Sequence, residues 1–109
     1  SGFAVGAAAL SADGRVFLGC NIENASYGLT NCAERTAIFS AVAAGAKVFE
    51  ALAVVADGEQ PCSPCGACRQ VIAEFSIKRI ILANLAGKSR IVTAEELLPY
   101  AFSLDNNKT

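Results

Sequence analysis

Ala51-Leu52-Ala53-Val54-Val55-Ala56, closed by Asp57-Gly58, is a continuous apolar run of the kind that forms a buried central strand. Pro61-Cys62-Ser63-Pro64 follows as a rigid loop. From Cys65 to about Phe75 the pattern is helical, with Val71, Ile72 and Phe75 on the apolar face, and Ile80 to Asn84 forms the next strand. Upstream, residues 4–11 and 15–20 are two short runs joined by Ser11-Ala12-Asp13-Gly14, which predicts an antiparallel hairpin. Asn21 to Gly28 is polar and turn-like, a loop. Beyond it Ala33, Ala37, Ile38, Ala41 and Val42 recur at helical spacing, with Asn31 as N-cap and Gly45 at the C-terminal end. Downstream, Ala86-Gly87-Lys88-Ser89 turns into Ile91-Val92-Thr93, and Thr93-Ala94-Glu95-Glu96 opens a short helix with an acid at the capping-box position. The tail from Ser103 is polar and expected to fray. The order β-β-α-β-α-β-β-α predicts an α/β fold, a mixed five-stranded sheet with helices packed on it.

The composition limits what such a fold can do. At 109 residues the chain is expected to be one domain, residues 1–109. It is 53% hydrophobic, more than so small a core can absorb, which predicts association with further copies of itself. The net charge is −1, and Arg35, Arg69, Lys78, Arg79, Lys88 and Arg90 never form a run longer than two. Clustered basic residues are what hold phosphate backbones, so nucleic acid is not the expected partner and a small molecule is. No apolar stretch approaches the roughly 20 residues of a membrane span, and no signal-like segment opens the chain. Five cysteines, three of them within seven residues, suit reduced thiols on a metal in a cytoplasmic protein better than a disulfide scaffold.

The chain contains no histidine. Soft metal binding must therefore come from thiolates, and proton transfer from a carboxylate. Cys65 and Cys68 stand three apart at the opening of one predicted helix, so their sulfurs share a face; Cys32 opens the other. Helix N-termini carry partial positive charge and free N–H groups, which favour the thiolate form that binds metal. Three protein ligands leave one tetrahedral position open, the arrangement of catalytic rather than structural zinc. Cys62 leaves an alternative: with Cys65 and Cys68 it makes another trio, and with Cys32 a closed four-sulfur site. Glu34, two residues after Cys32, is either a helix-dipole acid or a proton carrier facing the metal.

Four segments narrow these choices: Gly19-Cys20-Asn21-Ile22-Glu23-Asn24-Ala25-Ser26-Tyr27, Cys32-Ala33-Glu34-Arg35-Thr36-Ala37, Ser63-Pro64-Cys65-Gly66-Ala67-Cys68-Arg69-Gln70 and Glu95-Glu96-Leu97-Leu98-Pro99. Together, and in this order along nearly the whole chain, they resemble the homotetrameric cytidine deaminases among the zinc nucleoside deaminases. The resemblance implies a three-layer α/β/α sandwich and the hydrolysis of cytidine and deoxycytidine to uridine and deoxyuridine plus ammonia, in pyrimidine salvage. It implies one Zn²⁺ per subunit held by Cys32, Cys65 and Cys68, with Glu34 as the catalytic proton shuttle. Asn21 and Glu23 would bind the ribose hydroxyls, Phe3 would pack on the pyrimidine, and Ala33 would join them in the substrate site. Tyr27 and Phe102 would lie near subunit boundaries and complete a neighbour's pocket. Three thiolates on a divalent cation leave a net negative charge, and Arg35 would relieve it by hydrogen bonding to ligand sulfurs. Arg69 and Gln70 receive no catalytic role.

The sequence departs from the pattern twice. Family members usually carry a helix before the Phe3 position, and here it is missing. Cys62 stands where an aliphatic residue is usual, beside the metal loop. Two competing expectations are a deaminase for another aminopyrimidine nucleoside, such as a blasticidin-type antibiotic, and a non-catalytic zinc-stapled module. Nucleic-acid editing is a third, which the charge balance opposes.

Overall fold

The expected hairpin forms as β1 (Val5–Ser11) and β2 (Val16–Cys20), with Gly14 at φ +91° in its turn. The structure is a computed structural model, and it describes residues 4–104. After the hairpin come α1 (Ala33–Ala43), β3 (Phe49–Ala56), α2 (Gly66–Glu74), β4 (Arg79–Asn84), β5 (Ser89–Val92) and α3 (Ala94–Leu97). The strands lie in the order β2-β1-β3-β4-β5. β3 and β4 pair in parallel, joined by α2, and the other neighbours are antiparallel. This is the mixed five-stranded sheet that the sequence predicts.

Register explains where the core sits. Ala7 lies opposite Gly19 and Val54, Ala9 opposite Phe17 and Leu52, and Ile80 and Leu82 opposite Leu52 and Val54. These residues share one face of the pleated sheet. Ala33, Ala37, Ile38 and Ala41 of α1 and Ile72 of α2 are packed into the same buried cluster. Burying each of the larger aliphatic side chains is worth about 1.5–3 kcal/mol. Leu97 of α3 joins the same cluster, so the three helices form one layer. Leu18 and Ile91, on the opposite face, are 73% and 64% exposed. The second helical layer of the expected sandwich is not among the described residues.

Two boundaries differ from the sequence reading for identifiable reasons. Asn31 does not cap α1, because its backbone N–H and C=O pair with Ile22 and hold it in an extended bridge. Cys32 takes the N-cap position instead. β3 starts at Phe49, two residues before the apolar run, because Phe49 pairs with Ser11 past an irregularity in β1. The expected loop contains one 3₁₀ turn, Tyr27–Leu29. The capping box is present as read: the Thr93 hydroxyl accepts from the Glu96 N–H, and the Glu96 carboxylate accepts from the Thr93 N–H. No helix among the described residues is long and apolar enough to cross a membrane.

Asn84, a buried polar residue at the end of β4, ties two loops together. Its Nδ2 donates to the carbonyls of Gly58 (2.9 Å) and Glu59 (3.2 Å), and its Oδ1 accepts from the Lys88 N–H (2.8 Å). The first pair anchors the start of the loop that leads to Cys65. Asn84→Ala should cost about 2 kcal/mol, the sum of lost bonds and poorly solvated partners, seen as a lower urea midpoint. An unchanged midpoint would show that the two loops hold without this bridge.

Candidate metal centre and substrate cleft

Cys32 is the N-cap of α1, Cys65 is the N-cap of α2, and Cys68 lies in the first turn of α2. The α1 and α2 N-termini meet, so the three sulfurs lie within 4.8 Å of one another and could hold a metal ion. The Cys32 and Cys65 sulfurs are 3.7 Å apart. Tetrahedral zinc with Zn–S bonds of about 2.3 Å requires sulfurs about 3.8 Å apart, so the donor set fits zinc in both chemistry and spacing. Among the described residues Cys62 is not in this group. Its thiol donates to the Val54 carbonyl (3.4 Å), which leaves a three-sulfur rather than a closed four-sulfur arrangement.

The electrostatics are divided. Burial works to raise the Cys65 thiol, but the Cys68 N–H and the neighbouring thiols outweigh it and bring Cys65 below the ordinary thiol range. Cys68 goes the other way: burial first, then the charge of Glu34, push its thiol well up. Metal binding must displace that proton, so affinity should rise with pH. Burial also raises Cys62. Arg35 Nη2 donates to the Cys32 sulfur at 3.3 Å. Its hydrogen bonds to Cys32 and Cys68 oppose the effect of burial and hold the guanidinium charged. A cation placed on two of the three sulfurs is what the charge of a tri-thiolate site calls for.

Beside the sulfurs opens a cleft of about 240 Å³. Asn21, Glu23, Cys32, Ala33, Glu34 and Cys65 all line it. Glu34 is only 5% exposed, so its carboxylate belongs to the cleft rather than to solvent. Asn21 and Glu23 reach the site because the loop they open returns at its neck: Ile22 and Asn31 exchange both backbone hydrogen bonds, at 2.8 and 2.9 Å. The Asn21 Oδ1 accepts from the Val5 N–H (2.9 Å), which fixes the end of β2 to the start of β1.

Two of the expected site residues that are described, Tyr27 and Phe102, are not brought to the cleft. Phe3 lies outside the described residues. Tyr27, on the 3₁₀ turn, is 88% exposed, and Phe102 is also exposed and lines a separate groove past the end of α2. Within one chain neither touches the cleft. The sequence reading missed Val5, Thr30, Asn31, Val54 and Ser63 as lining residues. Thr30 and Asn31 directly precede Cys32, and Ser63 lies in the C-terminal metal loop, so proximity to the motifs was the available signal. Val5 and Val54 enter through strand register, which no motif marks.

With this geometry in hand, comparison with known proteins is direct. Residues 1–84 match the cytidine and deoxycytidylate deaminase zinc-binding region. A cytidine deaminase of Sporosarcina psychrophila is 57% identical over 108 residues, which cover 97% of this chain and 79% of the relative. One from Halalkalibacterium halodurans is 55% identical over 108 residues, with 97% and 82% covered. The crystal structure of cytidine deaminase from Burkholderia pseudomallei, 54% identical, superposes with a TM-score of 0.89 over 93% of this chain and 83% of that one.

Proposed function

Since the chain belongs to the zinc-binding cytidine and deoxycytidylate deaminase family, we propose that it hydrolyses cytidine and deoxycytidine to uridine and deoxyuridine, releasing ammonia. The observation that carries this reading is the buried Glu34 carboxylate in one cleft with the three-sulfur cluster. Cys32, Cys65 and Cys68 are the residues that would hold one Zn²⁺ per subunit. When bound, zinc supplies the Lewis acidity that makes water a nucleophile near neutral pH.

The chain's own groups do the rest. Glu34 takes a proton from the attacking water and delivers it to the ring N3 as the new C–O bond forms at C4. The same carboxylate then carries the remaining hydroxyl proton to the exocyclic amine. The C4–N bond breaks, ammonia leaves, and C4 keeps its oxygen as a carbonyl. A carboxylate shielded from solvent suits both halves of this transfer. Arg35 tempers the charge on the sulfurs without entering the proton path. Asn21 and Glu23, which line the same cleft, bind the ribose hydroxyls. A site built to hydrogen-bond a sugar penalises a bare base, because buried polar groups are then left unpaired.

The 109 residues act as a single deaminase domain. Its assembly is a homotetramer, supported by the exposed apolar side chains of Leu18, Tyr27 and Phe102, with Tyr27, Phe102 and Phe3 completing substrate pockets. Five free cysteines suit the reducing cytoplasm, where the reaction serves pyrimidine salvage. Metal analysis together with turnover tests the core of this reading. The expected result is one zinc per chain, uridine and ammonia in equal amounts from cytidine, and no competition by a short C-containing single strand. A zinc-loaded protein that leaves cytidine intact would point to a non-catalytic zinc module, and preference for the oligonucleotide to an editing enzyme.

A further inference from the structure

One guanidinium in this molecule makes three hydrogen bonds that no part of the reaction uses. Arg69, the residue after Cys68, donates from Nε to the Pro64 carbonyl (2.8 Å), from Nη2 to the Ser63 hydroxyl (2.6 Å) and from Nη1 to the Leu97 carbonyl (2.7 Å). Ser63 and Pro64 are the two residues that deliver Cys65 to the cluster, and Ser63 lines the substrate cleft. Leu97 closes the four-residue α3 and is buried in the core. Arginine alone among side chains offers a rigid, planar fork with enough donors to bind three acceptors at once.

We propose that Arg69 is a positioning residue of the metal centre: it holds the Ser63–Pro64 stretch of the loop against α3 and so fixes where the Cys65 sulfur stands. The physical need is specific. Cys68 lies within α2 and is fully buried, and Cys32, an N-cap as Cys65 is, is half-buried. Cys65 is exposed and follows a loop with two prolines, Pro61 and Pro64, whose ring nitrogens cannot donate. Without an outside clamp this ligand is the one with the most freedom to swing away. Arg69 supplies the clamp from within α2, so the helix that carries Cys68 also sets the approach of Cys65. Gln70 extends the bracket: its Nε2 donates to the Phe102 carbonyl (3.1 Å), so consecutive residues of α2 hold both ends of segment 97–102.

The inference rests on Cys65 being a zinc ligand, and the experiment separates the two. Zinc release from the loaded protein to a chromogenic chelator should be at least 10-fold faster in Arg69→Met and intermediate in Arg69→Lys, which keeps the charge but not the fork. Ser63→Ala should accelerate release about 3-fold in the parent and add nothing in Arg69→Met, because the partner is already gone. KM for cytidine should change less than 3-fold in Arg69→Lys. Unchanged release in Arg69→Met overturns the proposal, and so does a Ser63→Ala effect of the same size in both backgrounds. If Arg69→Met does not fold, release from Ser63→Ala and Arg69→Lys at the parent rate overturns it equally. Cys65→Ala tests the premise alone: full zinc content in that variant would refute the ligand assignment whatever the Arg69 variants do.

Discussion

Glu34→Ala will keep its zinc and lose its activity, with cytidine turnover falling by about 10²–10⁴-fold, the contribution typical of a positioned general acid–base. The two halves of this result come from different physics. The substitution falls in the first turn of α1, whose buried neighbours Ala33 and Ala37 show that the helix accepts alanine there, and alanine is the best helix former. The Glu34 charge also works against thiolate formation at Cys68. Removing it should leave zinc retention equal or tighter, so the variant isolates proton transfer from metal binding. Glu34→Gln preserves the shape of the side chain and should be as inactive, because an amide cannot carry a proton between water and N3. The check is metal content by elemental analysis beside the rate of ammonia release. A Glu34→Ala protein as fast as the parent would remove the carboxylate from the mechanism, and loss of zinc on this change would give Glu34 a role in holding the site.

The features legible in the sequence were those whose causes are local. The run from Ala51 to Ala56 needs only its own composition to be read as a buried strand, and the Thr93–Glu96 box is complete within four residues. The metal trio could be placed because a helix start fixes where Cys65 and Cys68 point; the position of Cys62 ahead of that helix already favours the trio over the four-sulfur alternative, the family resemblance adds to this, and in the structure Cys62 donates to Val54 instead. Asn31 was misplaced because the partner that overrides its capping preference, Ile22, lies across an entire loop. Arg69 could not be read at all: its acceptors lie 5, 6 and 28 positions away, and no periodicity relates them. Tyr27 and Phe102 stand outside the cleft of their own chain, and the only sign in the sequence of the proposed assembly that would bring them to a neighbour's pocket is its apolar excess.

Gly19 belongs with these non-local features, and it carries the largest expected effect on folding. It lies on β2, under the N-terminal half of α1, and a Cβ there would sit 2.4 Å from the Ala33 carbonyl oxygen and 2.5 Å from the Ala37 nitrogen. Both are backbone atoms of the helix, so no rotamer change relieves the clash, and α1 must retreat from the sheet. Ala33, Ala37 and Ala41 are fully buried at four-residue spacing, a small-residue stripe that lets helix and strand approach this closely only while position 19 lacks a side chain. Overpacking commonly costs about 1–3 kcal/mol, occasionally more, and a clash with backbone belongs at the upper end. Gly19→Ala should therefore lower Tm by at least about 10 °C, at roughly 4–8 °C per kcal/mol for a domain of this size. Gly6→Ala provides the control, since its Cβ would meet only Val55 Cγ1 at an ordinary 3.6 Å, and its Tm should hold or rise slightly. The displaced segment of α1 is the one that begins at Cys32 and carries Glu34. Zinc retention should thus fall together with stability in Gly19→Ala, although the substitution adds one methyl group and touches no sulfur. A Tm within about 2 °C of the parent would mean that α1 has room to move, and the close packing of helix on strand would then not be what holds the metal site in place.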